Sequence, residues 1–220
     1  TFGGRAFIGR FDGRGFRIRH VKIDTKGASG DYLGLFAQLG SGGRILNLKL
    51  TSGVAIKAGS GSHYVGGMVG YNNDGYITEC EISGNDIIAG DNCSCLGRLV
   101  GRDNHGLIVN CTVDGSVLCG AGSQSVGGLI GESLASDIRN CWATGNIRGH
   151  ENSQYLGGLI GDANECTVSH SYATGWIEGR ENCAYLGGLI GGAYDDCAIN
   201  RCYATGEVRS DESDDDMAYA

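Results

Sequence analysis

Residues 155–161 read Tyr-Leu-Gly-Gly-Leu-Ile-Gly, and this phrase recurs along the chain at a nearly constant interval. Close copies of it lie at residues 64–70, 95–101, 125–131 and 185–191. The first glycines of the five copies, at positions 66, 97, 127, 157 and 187, are 31, 30, 30 and 30 residues apart. A repeat of this length without helical periodicity is typical of a stack of similar coils, in which each coil buries its apolar face on its neighbours.

Alignment of the copies on this phrase places apolar residues in vertical columns. The first column contains Ile18, Ile45, Ile77, Ile108, Ile138, Val168 and Ile199. The second column, three residues further on, contains Val21, Leu48, Cys80, Cys111, Cys141, Ser171 and Cys202. The third column, two residues beyond the second, contains Ile23, Leu50, Ile82, Val113, Ala143, Ala173 and Ala204. Residues two apart in a strand face the same side, so the second and third columns indicate one buried strand face.

These columns predict an all-β fold, namely a right-handed parallel β-helix (a β-solenoid) of about seven coils of ~30 residues, with three short strands per coil. The right hand follows from the rule for parallel connections. An antiparallel sandwich would not require columns in register at this interval. We expect a single β-helix domain over residues 1–220. It has degenerate early coils in 1–63, five coils with the phrase in 64–210, and an acidic tail or the start of a further coil in 211–220.

The composition argues against two classes of partner. The formal net charge is −8, whereas proteins that bind nucleic acid or anionic membrane surfaces carry clustered Lys and Arg. The sequence also contains no apolar run of about 18 residues that could span a bilayer. We therefore expect no nucleic-acid partner and no membrane insertion.

Both halves of one repeat resemble a known motif. Residues 126–131, Val-Gly-Gly-Leu-Ile-Gly, are followed by residues 140–145, Asn-Cys-Trp-Ala-Thr-Gly, and Tyr-Ala-Thr-Gly recurs at Tyr172 and Tyr203. This pattern resembles the GLUG motif of large bacterial and archaeal surface and secreted proteins, and only Arg98, in place of the second glycine, departs from it. The resemblance implies a β-helical protein located outside the cell or at its surface, and it specifies no reaction.

The ten cysteines allow two interpretations. Cysteines stacked in adjacent coils could form vertical disulfides, or they could be buried thiols that act as small hydrophobes. We favour the thiol ladder, because Val21, Leu48 and Ser171 occupy the same column as the cysteines. One vertical bridge, between Cys166 and Cys197, stays open as an alternative.

Trp142, Tyr172 and Tyr203 are expected to form an outward row on the last three coils. Such a row can bind sugar rings or a protein surface, or it can simply stabilise the sheet through cross-strand pairing. A second row is interrupted by Cys95 and Ser125; its members are Tyr32, Tyr64, Tyr155 and Tyr185.

The corners between strands are rich in Asp and Asn, at residues 72–74, 102–104, 162–164 and 195–196. Their oxygens could ligate Ca²⁺, although turns favour the same residues without any metal. Beyond this calcium alternative we expect no cofactor and no metal site. The acidic residues change column from coil to coil and the five histidines share none, so the sequence predicts no catalytic constellation and no enzyme.

The sequence as a whole predicts an extracellular structural or adhesive rod that displays a surface or builds a filament or lattice. The alternative is a carbohydrate-binding or polysaccharide-cleaving β-helix with the Trp142 row as its platform. We expect self-association, head to tail or lateral, because a basic first coil can meet an acidic end. The residues concerned are Arg5, Arg10, Arg14, Arg17 and Arg19 at the basic end, and Asp211, Glu212, Asp214, Asp215 and Asp216 at the acidic end.

Overall fold

The computed structural model describes residues 4–51, 53, 55–84 and 86–210. In this part of the chain 33 short strands form five parallel sheets, and no helix is present. Each coil passes through the sheets in the same order, which we number I to V along the chain. Among the described residues, no helix has the length and apolar character needed to cross a membrane.

Three of the sheets have seven strands. Sheet I consists of β1 (Arg10–Asp12), β6 (Arg44–Leu46), β11 (Tyr76–Thr78), β16 (Leu107–Val109), β21 (Asp137–Arg139), β26 (Thr167–Ser169) and β31 (Ala198–Asn200). Sheet II consists of β2 (Arg17–Arg19), β7 (Lys49–Thr51), β12 (Glu81–Ile82), β17 (Thr112–Val113), β22 (Trp142–Ala143), β27 (Tyr172–Ala173) and β32 (Tyr203–Ala204). Sheet III consists of β3 (Lys22–Asp24), β8 (Ala55–Ala58), β13 (Ile87–Ala89), β18 (Val117–Cys119), β23 (Ile147–Gly149), β28 (Ile177–Gly179) and β33 (Val208–Ser210).

The other two sheets have six strands. Sheet IV consists of β4 (Asp31–Leu33), β9 (His63–Gly66), β14 (Ser94–Gly97), β19 (Gln124–Gly127), β24 (Gln154–Gly157) and β29 (Ala184–Gly187). Sheet V consists of β5 (Phe36–Leu39), β10 (Val69–Asn73), β15 (Val100–Asn104), β20 (Ile130–Leu134), β25 (Ile160–Asn164) and β30 (Ile190–Tyr194).

The predicted all-β parallel solenoid is confirmed, with five strands in each complete coil where the sequence predicted three. The additional strand breaks lie at corners made by single residues in the left-handed conformation. Glu79, at φ 55°, separates sheet I from sheet II, and Asp74, at φ 59°, separates sheet V from sheet I. One such residue turns the chain without a loop, so apolar segments that read as continuous in sequence are split into two strands.

The repeated phrase forms the corner between sheets IV and V. Its first residue is left-handed, as in Tyr155 at φ 58°. Its first glycine allows a close approach of the backbone, because a Cβ at Gly157 would overlap the carbonyl oxygen of Ile160. The phrase therefore recurs because every coil makes this corner with the same backbone conformation and the same close approach of the chain.

The core consists of the predicted columns from the second coil onward. Ile108 pairs in register with Ile77 on one side and Ile138 on the other, and its side chain is fully buried. The remaining columns close the interior in the same way, so each apolar side chain packs on an equivalent one above and below. Burial of such a side chain contributes about 1.5–3 kcal/mol.

The predicted register of the first coil is wrong. Phe11, and not Ile18, pairs with Ile45. Ile18 instead pairs with Leu50 in sheet II, and Ile23 pairs with Ile56 in sheet III, so both lie one sheet further along the coil than predicted. The cause is the length of this coil: 34 residues separate Phe11 from Ile45, and alignment at an interval of about 30 skips one strand.

The substitution Ile108→Asp tests the core register. The carboxylate would lie between two buried isoleucines without a partner, and we expect the free energy of unfolding to fall by about 3–5 kcal/mol. The matched control is Val109→Asp, the outward neighbour in the same strand, which pairs with Arg139 and should change stability by less than about 1 kcal/mol. Urea unfolding followed by circular dichroism measures both, and equal losses in the two variants would contradict the assigned faces.

Candidate functional site

The predicted aromatic row lies on the outer face of sheet II. Trp142 pairs in register with Tyr172, and Tyr172 with Tyr203. The ring centres of Trp142 and Tyr172 are 5.6 Å apart with an interplanar angle of 3°, and those of Tyr172 and Tyr203 are 4.9 Å apart with an angle of 7°. The structure thus places the three rings together in one vertical stack.

This stacking geometry limits what the row can present to a ligand. Parallel rings with centres this close cannot lie side by side on the sheet, because a ring with its hydrogens is wider than that separation. The rings must stand out from the sheet and cover one another's faces, an arrangement that stabilises aromatic pairs. The row offers ring edges and the outer face of Tyr203, and its binding to sugars stays a prediction.

A charged column that the sequence analysis did not identify lies on the outer face of sheet V. Tyr71, Arg102, Glu132 and Asp162 follow one another in register on four successive coils. A sequence signal for them exists, since each is the residue directly after the last glycine of the repeated phrase. The chemically different side chains at this position hid the column from a search for similar residues.

Polar contacts hold the two central members of this column, Arg102 and Glu132. Arg102 Nη2 lies 3.2 Å from Glu132 Oε1, and the thiol of Cys95 donates to Glu132 Oε2 at 2.9 Å. Burial, reinforced by the nearby Glu132 carboxylate, raises the pKa of the Cys95 thiol well above its usual value. Burial also raises the pKa of Asp162, and the charge of Glu132 adds to this effect. Hence the column keeps an ion pair beside a carboxylate that accepts a proton more readily than an exposed one.

Two tyrosine clusters flank the charged column. On one side the ring of Tyr64 lies 5.1 Å from Tyr32 and 5.7 Å from Tyr71. On the other side Tyr155 stacks on Tyr185 at 4.7 Å, with Tyr194 edge-on to Tyr155 at 6.1 Å.

The interruption of the second tyrosine row therefore has a structural explanation. The small residues Cys95 and Ser125 leave room there, and the longer side chains of sheet V occupy it. Arg102 places its guanidinium carbon 5.9 Å from the centre of the Tyr64 ring. We call this surface of clustered tyrosines around Arg102, Glu132 and Asp162 the tyrosine face.

The cysteines share their role with serines at the corners. After a left-handed residue, Cys111 donates its thiol to the carbonyl oxygen of Val109 at 3.4 Å, and Ser171 donates its hydroxyl to that of Ser169 at 2.8 Å. Complete burial raises the pKa of the Cys111 thiol well above its usual value. The thiol and the hydroxyl thus donate to the equivalent carbonyl group in their respective coils. This shared role explains why both residue types occur in one column.

The ten cysteines are free thiols in the structure. Cys166 and Cys197 occupy equivalent corner positions in adjacent coils, and the Cys166 backbone N–H lies 3.3 Å from the Cys197 sulfur. A disulfide between them stays a prediction, because stacked corner thiols are neighbours whether or not they are oxidised.

The Asp- and Asn-rich corners use their side chains in hydrogen bonds between coils. Asn104 donates to Asn73 at 2.7 Å, and Asn164 donates to Asp195 at 3.1 Å. Within the described part of the chain, no group of three or more His, Cys, Asp or Glu side chains is placed to hold a metal ion. These hydrogen bonds account for the corner side chains without a metal, and calcium binding there stays a prediction.

Among the described residues, two charged side chains lie inside the solenoid. Arg98 is fully buried and donates from Nη2 to the carbonyl oxygen of Asp114 at 2.8 Å; burial lowers its pKa to about 10, against the opposing charges of Asp86 and Asp114. Asp103 is also fully buried and accepts from Asn72 Nδ2 at 2.6 Å. Burial raises the pKa of Asp103 to about 6, against the hydrogen bonds from Ser136 and Asn72.

The basic residues predicted for self-association lie on the first coil. All five arginines are exposed; they are Arg5, Arg10, Arg14, Arg17 and Arg19. Arg10 forms an ion pair with Asp12 at 2.8 Å. The predicted acidic partners, Asp211, Glu212, Asp214, Asp215 and Asp216, lie outside the described residues.

The stacked coils, the shared corner geometry and the in-register columns define a repeat protein of the parallel β-solenoid class. The sequence model of the GLUG motif matches residues 122–148 and 182–209. The parallel β-solenoid therefore contains GLUG motifs in two of its repeats, and the resemblance seen in the residues is confirmed. Comparison with curated proteins gave no match, and comparison with solved structures gave none either.

Asp103 predicts a pH dependence of stability. Its pKa is about 6 in the folded state and near 3.8 when unfolded, so the folded state binds more protons between these values. The contribution of Asp103 to the free energy of unfolding is fully present below the unfolded-state pKa, and it is lost as the pH rises through about 6. At pH 7.5 we expect Asp103→Asn to be more stable than the wild type, by an amount on the order of 3 kcal/mol, and at pH 3.5 to be nearly equal to it.

Urea unfolding at these two pH values measures the difference. The control is Asp137→Asn, which alters a half-buried outward carboxylate that contacts Arg139 and should shift stability little at either pH. An advantage of Asp103→Asn that does not change with pH would contradict the buried, proton-binding state of Asp103.

Proposed function

We propose that this protein is a rigid extracellular structural and adhesive β-solenoid that assembles into filaments or a lattice through head-to-tail contacts. The observation that carries the proposal is the continuity of the core columns at both ends of the described stack. The location outside the cell rests on the resemblance to repeats of surface and secreted proteins.

The last described coil leaves apolar members of the core columns partly uncovered. The exposed fractions of Ile199 and Val208 are 44% and 43%, compared with none for their equivalents Val168 and Ile177 one coil earlier. The main-chain groups of β31, β32 and β33 are also unpaired on their outer side within the described residues. Such an edge favours pairing with a further strand.

The first coil provides matching residues for a second copy. Continued in register, the column that ends at Ile199 meets Phe11, that of Ala204 meets Ile18, and that of Val208 meets Ile23. Each of these contacts would place an apolar side chain on an apolar one. A heterologous contact of this kind does not close on itself, so it builds a filament.

Charge would favour the same orientation. The basic residues of the first coil are exposed, and on sheet II the column of Tyr203 would meet Arg17 of the next copy, a pairing suited to a cation–π contact. The acidic residues Asp211, Glu212, Asp214, Asp215 and Asp216 follow the last described coil in sequence and carry further negative charge. Attraction between these ends sets orientation and association rate more than affinity.

Filament formation tests this proposal. We expect negative-stain microscopy of the purified chain to show fibres that increase with concentration and shorten at high salt, because the exposed charges are screened. The double variant Arg17→Glu with Arg19→Glu should abolish them. Lys57→Glu with Arg139→Glu makes the same charge change on the second and fifth coils, away from the proposed contact surface, and should leave the fibres intact. A wild-type chain that stays monomeric at every concentration and salt would overturn the proposal.

A carbohydrate-binding role is the second candidate, and the tyrosine face favours it. Planar hydrogen-bonding groups beside aromatic rings suit sugars, which present hydroxyls at their edges and apolar C–H groups on their faces. Arg102, Glu132 and Asp162 supply the polar groups, and the tyrosine clusters lie on either side of them. We propose binding rather than cleavage, because Glu132 is engaged by Arg102 and Cys95, an arrangement that fixes its position and does not free it to transfer protons.

A further inference from the structure

A groove runs over the outer face of sheet III, on a different side of the solenoid from the tyrosine face. It consists of a cavity of about 300 Å³ and a smaller one of about 130 Å³, and the two share Leu118 and Arg148. The shared residues make them one continuous depression that crosses β13, β18, β23 and β28. Its length along the stack corresponds to four coils, or about 14 Å at the usual strand spacing.

The floor of this sheet III groove is apolar. Ile88 and Leu118 are neighbours in register on the outer face of sheet III, and 49% of Ile88 is exposed. At the equivalent position of the next coil, the guanidinium of Arg148 lies 5.2 Å from the centre of the Trp176 ring. An exposed apolar strip bordered by an aromatic ring and a guanidinium is a feature that marks candidate binding surfaces.

The acidic groups in the groove or beside it have partners already. Glu178 forms an ion pair with Arg148 at 3.1 Å. Asp86 accepts from the Ser116 backbone N–H at 2.7 Å, and the buried Arg98 compensates its charge from inside the solenoid. Asp91 accepts from the Ala121 backbone N–H at 2.9 Å.

These contacts leave the guanidinium of Arg180 available to bind a ligand. Arg180 lines the larger cavity beside His150. The Glu151 carboxylate is near enough to feel its charge, but among the described residues no hydrogen bond or ion pair holds its guanidinium. His150 lies with Nδ1 3.3 Å from Glu151, so its other ring nitrogen is the one left for a ligand. The groove therefore combines an apolar floor with an open guanidinium fork at one rim.

These features together define the chemistry of a ligand. A guanidinium binds a carboxylate through two parallel hydrogen bonds, whereas an apolar strip accepts the C–H face of a sugar ring. A neutral glycan would leave Arg180 without a partner, and a simple carboxylic acid would leave the floor uncovered.

We propose that the sheet III groove binds an acidic glycan, with a uronate carboxylate on Arg180 and the sugar ring on the floor formed by Ile88 and Leu118. This inference rests on the carbohydrate-binding candidate function and assigns it a second site and a substrate class. It is independent of filament formation.

Isothermal titration calorimetry of the full chain with a galacturonic acid oligosaccharide tests the proposal, with the carboxyl-reduced form of the same oligosaccharide as the neutral probe. We expect the acidic form to bind at least about ten-fold more tightly than the reduced form. Arg180→Gln should weaken binding of the acidic form by about ten-fold and leave that of the reduced form unchanged. Arg139→Gln, which alters an exposed arginine on sheet I, is the matched control and should bind as the wild type does.

The outcomes separate the two proposals. Equal binding of both oligosaccharides, or binding that Arg180→Gln does not change, would overturn the groove assignment while leaving a carbohydrate-binding role in place. Binding of neither oligosaccharide would overturn the groove assignment and leave the tyrosine face as the support for carbohydrate binding. Leu118→Asp provides an independent check of the floor, because a carboxylate there should repel the acidic form and weaken its binding further than Arg180→Gln does.

Discussion

The vertical register between coils is the constraint on which the rest of this structure depends. Every strand pairs with the equivalent strand of the next coil, so each residue meets its own counterpart one repeat away. A residue that suits this environment in one coil suits it in all of them, and the core becomes a set of columns such as Ile77, Ile108 and Ile138. Stability then arises as a sum of similar interfaces between neighbouring coils.

The corners keep this register because they contain so few residues. A single left-handed residue followed by Cys or Ser turns the chain, and the thiol or hydroxyl satisfies a carbonyl group that the turn would leave unpaired. The outward positions are free of this constraint. Tyr71, Arg102, Glu132 and Asp162 show how far one such column can vary while the core beneath it stays the same. A solenoid of this kind can therefore display different surfaces on one scaffold.

Much of this fold could be predicted from the sequence, because the repeated phrase and the apolar columns both report the coil length directly. The number of strands could not, since a single residue such as Glu79 ends a strand without any turn signature in the sequence. The first coil was misaligned because its period is longer than that of the others. The aromatic row was predicted from its column. The stacking of its rings was not, because it depends on side-chain orientation, which an alignment of repeats does not reveal.

The tyrosine face and the sheet III groove were also beyond sequence reasoning. They bring together side chains from neighbouring columns, such as Arg102 over Tyr64 and Arg148 over Trp176, whose proximity depends on how the coil is bent. Arg98 was visible as a departure from the motif. Its inward path to Asp114 was not, because glycine at this position in the other copies gives no information about where a long side chain would go.

The central claim is that register between coils specifies the fold, and deletion of one repeat tests it most directly. Removal of residues 116–145 joins Gly115 to Asn146 and takes out 30 residues, so that every column continues in register across the junction. Removal of residues 116–130 takes out half of that length and places sheet V strands against sheet III strands. Circular dichroism with thermal unfolding should show a cooperative β-protein for the longer deletion and loss of cooperative unfolding for the shorter one. A longer deletion that fails to fold, or a shorter one that folds as well, would contradict this account.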